Sequence, residues 1–261
     1  MNIVVCLKQV PGTTEVKIDP QTNTLIRQGI ENIINPFDTY AIEESVRIKE
    51  RDGGKVTVIT MGPSQAEAAL REAISLGADE AVLLSDRAFA GADTWATAYT
   101  LSLAMKKLDK YDLIICGRQT IDGDTGQVGP ELAEMLDIPF VAYVSQIEEI
   151  RDGYLRLRRM VEEGHEVIET TLPAVITVAK EINVPRLPSL RGIMKSKSAV
   201  IPTWGIQELG VDQSMVGLSG SSTQVIKVFF PQRVQQAEML EGPLEKQIDT
   251  LIDRLKNAGL C

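Results

Sequence analysis

Tyr111-Asp112-Leu113-Ile114-Ile115-Cys116-Gly117-Arg118-Gln119-Thr120-Ile121-Asp122-Gly123-Asp124-Thr125-Gly126-Gln127-Val128-Gly129-Pro130 runs from an apolar strand into a glycine-rich turn, and a helical stretch through residues 131–136 follows. Gly123, Gly126 and Gly129 stand three apart, so the backbone can turn sharply and approach a ligand with no side chain in the way. Thr125, Gln127 and their neighbours open the helix, whose unpaired first-turn N–H groups favour an anion. The pattern reads as a phosphate-holding loop with a nucleotide as ligand. A turn that only redirects the chain is the competing reading, because φ > 0 calls for glycine in many turns. There is no GxGxxG after the first strand and no GxxxxGK[ST] anywhere, so the dinucleotide fingerprint and the P-loop are both absent. Asp122 and Asp124 would repel phosphate. They are expected to cap backbone N–H groups or accept from ribose hydroxyls, leaving the anion to the amides that follow.

The same strand-then-helix alternation extends upstream. An apolar run covers residues 2–10, and Asn35-Pro36-Phe37-Asp38 combines an N-cap, a proline at the first helical position and an acid at N3. Phe37, Ala41, Ile42, Val46 and Ile48 give that helix a wide apolar stripe. Strands are expected at 55–61, 80–85 and 111–116, helices at 63–75 and 93–108, and a further apolar segment near 139–145. Nearly all-apolar strands alternating with helices imply a doubly wound α/β domain with a mostly parallel sheet covered on both faces. Ligands in such sheets bind beyond the carboxyl ends of the strands, which brings Lys8-Gln9-Val10, Met61-Gly62-Pro63 and Gly117 onward toward one crevice, with Asn35 to Asp38 approaching it.

Other segments look like additions to this plan. Residues 16–19 and 24–27 read as a small hairpin around Pro20-Gln21-Thr22-Asn23, and 147–172 as a polar hairpin along the sheet edge with the only histidine, His165, in or near its turn. A solvated role is expected for that histidine, so a Ser-His-Asp enzyme is disfavoured. Residues 183–198 form a basic loop, with two prolines and interleaved apolar side chains, in an otherwise acidic chain. A docking surface and a merely solvated charge run are its two readings. From 201 to 261 the chain reads as an arm, rich in Gly and Ser over 210–222 and closed by a helix over 243–257, expected to pack on another subunit. The formal charge of −9 argues against general nucleic-acid binding. No apolar run nears the roughly 20 residues of a membrane span, and no signal pattern precedes the first strand, so a cytoplasmic protein is expected. Cys6, Cys116 and Cys261 have no metal-ligand spacing and are expected as reduced thiols.

In their order, Lys8-Gln9-Val10-Pro11, Asn35-Pro36-Phe37-Asp38 with Glu43-Glu44, Met61-Gly62-Pro63, Gly117 to Pro130, and Pro185-Arg186 through Ile193-Met194-Lys195 resemble the beta subunit of the electron-transfer flavoproteins over essentially the whole chain. The resemblance implies an adenine-nucleotide alpha hydrolase-like sheet and a heterodimer with an FAD-carrying alpha subunit. It also implies a second adenine nucleotide in the beta subunit. The residues implied to contact it are Cys6, Asn35, Pro36, Phe37, Asp38, Met61, Gly117, Arg118, Gln119, Thr120, Ile121, Asp122, Gly123, Asp124, Thr125, Gly126, Gln127 and Val128, with no side chain implied as a general base.

Two subtypes differ at this site. In simple carriers the beta nucleotide is a structural AMP; in bifurcating members it is a complete FAD that accepts hydride from NADH and divides the electrons between two acceptors. Carriers usually have a cysteine in place of Asp38 and an Asn-Gln-Thr-Gly-Gln-like loop, whereas this chain has Asp38 and Asp124-Thr125-Gly126-Gln127-Val128-Gly129-Pro130, closer to the bifurcating type. FAD is accordingly the expected cofactor and AMP the alternative. Expected partners are a flavin dehydrogenase of acyl-CoA or 2-hydroxyacid (lactate) type, and ferredoxin or flavodoxin. By the same resemblance 183–198 is the recognition loop, with Leu190 as the inserted leucine and Arg186, Arg191, Lys195 and Lys197 as its charged rim. The carriers' longer lysine run is replaced here by Lys195-Ser196-Lys197-Ser198. Fold alone also permits a universal-stress-type nucleotide module without redox function, which leaves the basic segment and the arm without a purpose.

Overall fold

The computed structural model describes residues 1–12, 31–108, 110–226 and 239–260, and the backbone of 17–18 and 25–26. Strand β1 (Asn2–Cys6) is followed by the short strands β2 (Gln9–Pro11), β3 (Lys17–Ile18), β4 (Leu25–Ile26) and β5 (Asn32–Ile34). β2 pairs with β5 and β3 with β4, both antiparallel; the latter is the centre of the expected small hairpin, whose remaining residues lie outside the described ones. Then α1 (Pro36–Asp52), β6 (Lys55–Met61), α2 (Glu67–Leu76), β7 (Glu80–Leu84), α3 (Thr94–Lys107), β8 (Leu113–Gly117) and α4 (Val128–Leu136) alternate as the apolar pattern predicts. The chain continues through β9 (Phe140–Arg151), β10 (Tyr154–Val161), β11 (Gly164–Thr171), β12 (Ala174–Val178), α5 (Leu190–Ser198), β13 (Thr203–Trp204), α6 (Ile206–Leu209) and α7 (Leu244–Asn257).

One sheet runs β11-β10-β9-β12-β8-β1-β6-β7-β13. The pairs from β9 to β13 are parallel, and the β10–β11 hairpin adds antiparallel strands at one edge. Strand periodicity explains how both faces are filled. Ile3 and Val5 of β1 join Ala41 and Ile42 of α1 and Leu70 and Ile74 of α2 in one apolar cluster. The intervening Val4 and Cys6 join Leu101 and Met105 of α3 and Leu132 of α4 in the other. Chain order reverses beside β1, since β6 and β7 extend one way and β8 and β12 the other. The switch point therefore lies between β1 and β8.

Several expectations change in the details. Pro36 does start α1, but the Asn35 side chain makes no cap bond there and reaches elsewhere. β9 runs on to Arg151, well past the expected 145, because residues 146–151 pair with β10. The basic segment is a loop only to Ser189; its second half is α5, capped by the Ser189 hydroxyl accepting from Gly192 N–H. Gly192 is where α5 meets α2, since a Cβ there would collide with the Ser75 carbonyl. The chain divides into two units, Met1–Ile226 and Lys227–Cys261. The boundary expected at 200/201 thus moves downstream, because β13 pairs with β7 and Val216 is buried in the first unit's core. In the second unit, α7 presents Leu244, Ile248, Leu251 and Ile252 as one exposed apolar stripe. Among the described residues no helix is long and apolar enough to cross a membrane.

Candidate functional site

A cavity of about 690 Å³ opens at the carboxyl ends of β1, β6 and β8, at the switch point. Its floor is Cys6, Leu7 and Lys8 from β1 and the residues after it, Met61 and Gly62 at the end of β6, and Cys116 and Gly117 from β8. Gly117 is needed for packing: a Cβ there would come within 2.7 Å of the Phe37 carbonyl carbon, so the start of α1 could not lie against β8. Asp38 is thereby placed on the cavity wall, where its carboxylate accepts the Lys8 N–H at 2.7 Å. Burial raises its pKa to about 7 even though the Lys8 N–H, the Asn35 side chain and the Gly117 N–H favour the charged form.

The glycine loop forms one side. Arg118, Gln119, Thr120, Gly123, Thr125, Gly126, Gln127, Val128 and Gly129 all line the cavity. Asn35, fully buried, pins this loop: its amide donates to the Gln119 carbonyl at 2.8 Å and its oxygen accepts the Ile121 N–H at 3.2 Å. The Asp124 N–H closes the turn onto the Thr120 carbonyl, and Asp124 and Gly126 both adopt positive φ. Among the described residues no side-chain cap bond occupies the start of α4, and with Pro130 lacking an N–H the first-turn donors suited to an anion are the Val128 and Gly129 amides. The Arg118 guanidinium lies over Phe37 at 5.1 Å and Tyr143 at 5.7 Å, and its buried Nε–H has no partner among the described residues. An orphaned cationic donor beside uncapped amides and an open glycine turn fits a phosphate-bearing ligand.

The structure separates the expected contact residues into two groups. Cys6, Asp38, Met61, Gly117 to Thr120, Gly123 and Thr125 to Val128 line the cavity; Asn35, Pro36, Phe37, Ile121, Asp122 and Asp124 do not. Asn35 holds the loop from behind, and Phe37 backs Arg118. Asp122, expected as a cap or ribose acceptor, is instead paired with the Lys8 ammonium at 2.8 Å. The three glycines also divide. Gly126 supplies a positive φ, whereas Gly129 serves helix-to-sheet packing, since a Cβ there would come within 2.6 Å of Thr177 Cγ2.

The opposite wall was not anticipated. It consists of Phe89, the 91–94 segment, Thr97 and Leu101, with residues 223–225 closing over it. Asp93 organises this wall: it caps α3 by accepting from Ala96 N–H, and its other oxygen accepts the Thr223 N–H at 2.9 Å and hydroxyl at 3.1 Å. The Gly91-Ala92-Asp93-Thr94 sequence, a glycine and an N-cap pair after a strand, is the signal that marks it.

The expected docking residues lie elsewhere, along 183–198. Leu190 is 84% exposed, and Leu187 and Met194 are exposed beside it. Arg186 is engaged rather than free, donating to Glu43 at 2.7 Å and Glu50 at 2.6 Å; those carboxylates raise its pKa. Lys195 donates to the Ala78 carbonyl at 3.0 Å and faces Asp79 at 3.5 Å. Both cations tether the segment, although Lys195 is itself exposed, as are Arg191 and Lys197. Among the described residues no group of three or more His, Cys, Asp or Glu side chains could hold a metal ion.

The electron transfer flavoprotein domain matches residues 22–209. The chain is 52% identical over 260 residues to the electron transfer flavoprotein subunit beta of Thermoanaerobacterium thermosaccharolyticum, covering 98% of each chain. It is 48% identical over 258 residues to the caffeyl-CoA reductase-Etf complex subunit CarD of Acetobacterium woodii, again covering 98% of each. Protein FixA of Azotobacter vinelandii is 45% identical over 249 residues, 93% of this chain and 89% of the relative. The chain therefore belongs to the electron transfer flavoprotein family, as a beta subunit of the kind that pairs with an alpha subunit.

Proposed function

We propose that this beta subunit binds a complete FAD in the switch-point cavity and works in NADH-dependent electron bifurcation. The observation that carries the reading is the convergence, on one cavity of about 690 Å³, of the uncapped start of α4, an open glycine turn and an Arg118 Nε–H with no partner among the described residues. That volume lies well within the range of about 300–1,000 Å³ usual for small-molecule sites, with room beyond a mononucleotide. Gly123, Gly126 and the amides after them would hold the diphosphate, and Arg118 would give it a charge-assisted hydrogen bond. Cys6, Asp38 and Met61 would border the adenosine, with Gln119, Thr120, Thr125, Gln127 and Val128 along the loop side. Asn35, Pro36 and Phe37 fix that loop and the start of α1, and Ile121, Asp122 and Asp124 shape the turn from outside.

When bound, FAD would supply the redox chemistry, hydride transfer with NADH and single-electron transfer toward the alpha-subunit FAD with a partner flavin dehydrogenase and toward ferredoxin or flavodoxin. The protein's contribution is to orient the group and keep its adenosine end out of water. Leu190, rimmed by Arg191 and Lys197, would dock the dehydrogenase. An acyl-CoA type is favoured over a lactate type, because one relative is named for a caffeyl-CoA reductase complex. The test mixes the purified heterodimer with NADH, ferredoxin and the partner dehydrogenase with its substrate. Ferredoxin reduction that requires the dehydrogenase substrate supports bifurcation. Absence of NADH oxidation in every combination would make the subunit a simple carrier with AMP in the beta site.

A further inference from the structure

Cys6 and Cys116 are direct register partners on the neighbouring parallel strands β1 and β8. Paired residues on parallel strands point to the same face, here the face of α3 and α4, and both cysteines belong to that apolar cluster. Adjacent strands lie about 4.8 Å apart, inside the Cα separation of about 4.4–6.8 Å that a disulfide spans. Both side chains are otherwise enclosed, at 8% and 7% exposure, and both line the switch-point cavity. The neighbouring Cys116 thiol, more than burial, pushes the Cys6 pKa well above its ordinary value. Cys6 is thus held as a protonated thiol while the site is enclosed, with the cavity as the route to the pair.

We propose that Cys6 and Cys116 form a reversible disulfide across the cavity floor, made by hydrogen peroxide while the cavity is empty and prevented while an adenine nucleotide fills it. The shielding rests on the nucleotide reading above; the bond itself rests only on the strand pairing. In the first step one thiolate attacks a peroxide oxygen, the O–O bond breaks, and a sulfenic acid and water form once the proton is delivered. The second thiol then attacks the sulfenic sulfur, an S–S bond forms, and the hydroxyl leaves as a second water. Two thiols lose two electrons in total, and one peroxide becomes two waters. A dithiol reductant reverses the outcome by exchange.

The test uses the heterodimer carrying Cys261→Ser, stripped of beta-site ligand by dialysis, and exposed to hydrogen peroxide with and without AMP or FAD. Peptide mapping reads the Cys6–Cys116 link as a mass lower by two hydrogens that dithiothreitol restores, and equilibrium dialysis of the same sample measures nucleotide binding. The expected result is the cross-linked peptide in the stripped protein. Its rate of formation should fall about 100-fold with nucleotide at 100 times its Kd, following the empty fraction. Sulfenic or sulfinic acid on either cysteine without a link would overturn the disulfide. Bound nucleotide that leaves the rate unchanged would overturn the shielding, whereas nucleotide that fails to bind at all would overturn the functional reading and leave the link standing.

Discussion

Replacing Asn35 tests whether the loop is held from behind or Asn35 itself meets the ligand. Asn35→Ala removes two part-buried hydrogen bonds of this buried side chain, to the Gln119 carbonyl at 2.8 Å and from the Ile121 N–H at 3.2 Å. At about 1–1.5 kcal/mol for each such bond, the loss is about 2–3 kcal/mol. That corresponds to about 30-fold to 150-fold in the balance between pinned and released loop. For a unit of this size the melting temperature should fall by about 4–12 °C. Asn35→Asp keeps the acceptor for Ile121 but turns an oxygen toward the Gln119 carbonyl and sets a second carboxylate beside Asp38, so it should be at least as damaging despite its matching shape. The assay is thermal unfolding of the heterodimer with isothermal titration of AMP and FAD. Affinity should drop for both ligands by similar factors, since their shared phosphate cradle is what loosens. An Asn35→Ala protein that melts and binds like the parent would show that Asn35 does not hold the loop.

Asp38 makes stability depend on pH in an unusual direction. Its folded pKa is raised from an ordinary 3.8 to about 7, so the native state retains a proton that the unfolded chain has lost between those values. Stability should fall by roughly 1.4 kcal/mol per pH unit across that window from this group alone. Urea midpoints at pH 5 and pH 8 should converge in Asp38→Asn relative to the parent. Gly129→Ala should cost about 1–3 kcal/mol from overpacking against Thr177, measured by urea unfolding. Leu190→Ala should leave stability within about 0.5 kcal/mol, since the side chain is exposed. If Leu190 is the docking anchor, turnover with the partner dehydrogenase should drop by about 30-fold, corresponding to about 2 kcal/mol, while NADH-to-dye activity persists. Arg186→Ala should instead lower both stability and docking, because it frees the 183–189 segment from Glu43 and Glu50; unchanged unfolding would exclude the tether.

The parts of the fold written in periodicity were legible. β1, β7, β8 and β12 are apolar at nearly every position, and β6 is buried between its ends despite Thr57 and Thr60, because both faces are covered, and Pro36 after Asn35 marks the start of α1 by fixed backbone geometry. Elements whose form comes from a neighbour were not. The polar end of β9 is a strand because β10 pairs with it, and the two-residue β13 exists because β7 offers a free edge. α5 carries Gly192 and scattered polar residues that resemble a loop, and its packing on α2 selects the helix. At the site, the glycine loop announced itself, but the division of labour within it did not. Whether Gly129 meets a ligand or Thr177, and whether Asp122 meets ribose or Lys8, depends on contacts between residues far apart in sequence. The Asp93 wall went unnoticed because its N-cap reads as ordinary helix punctuation until Thr223 is brought beside it.

The proposed function requires the switch-point cavity to hold a full flavin dinucleotide. Its most direct test is to co-express the chain with its alpha subunit, release the ligands by denaturation and count flavin and adenine nucleotide per heterodimer. Two FAD and no AMP is the predicted result. One FAD with one AMP would contradict it, and would leave the beta nucleotide as a structural ligand in a single-flavin carrier.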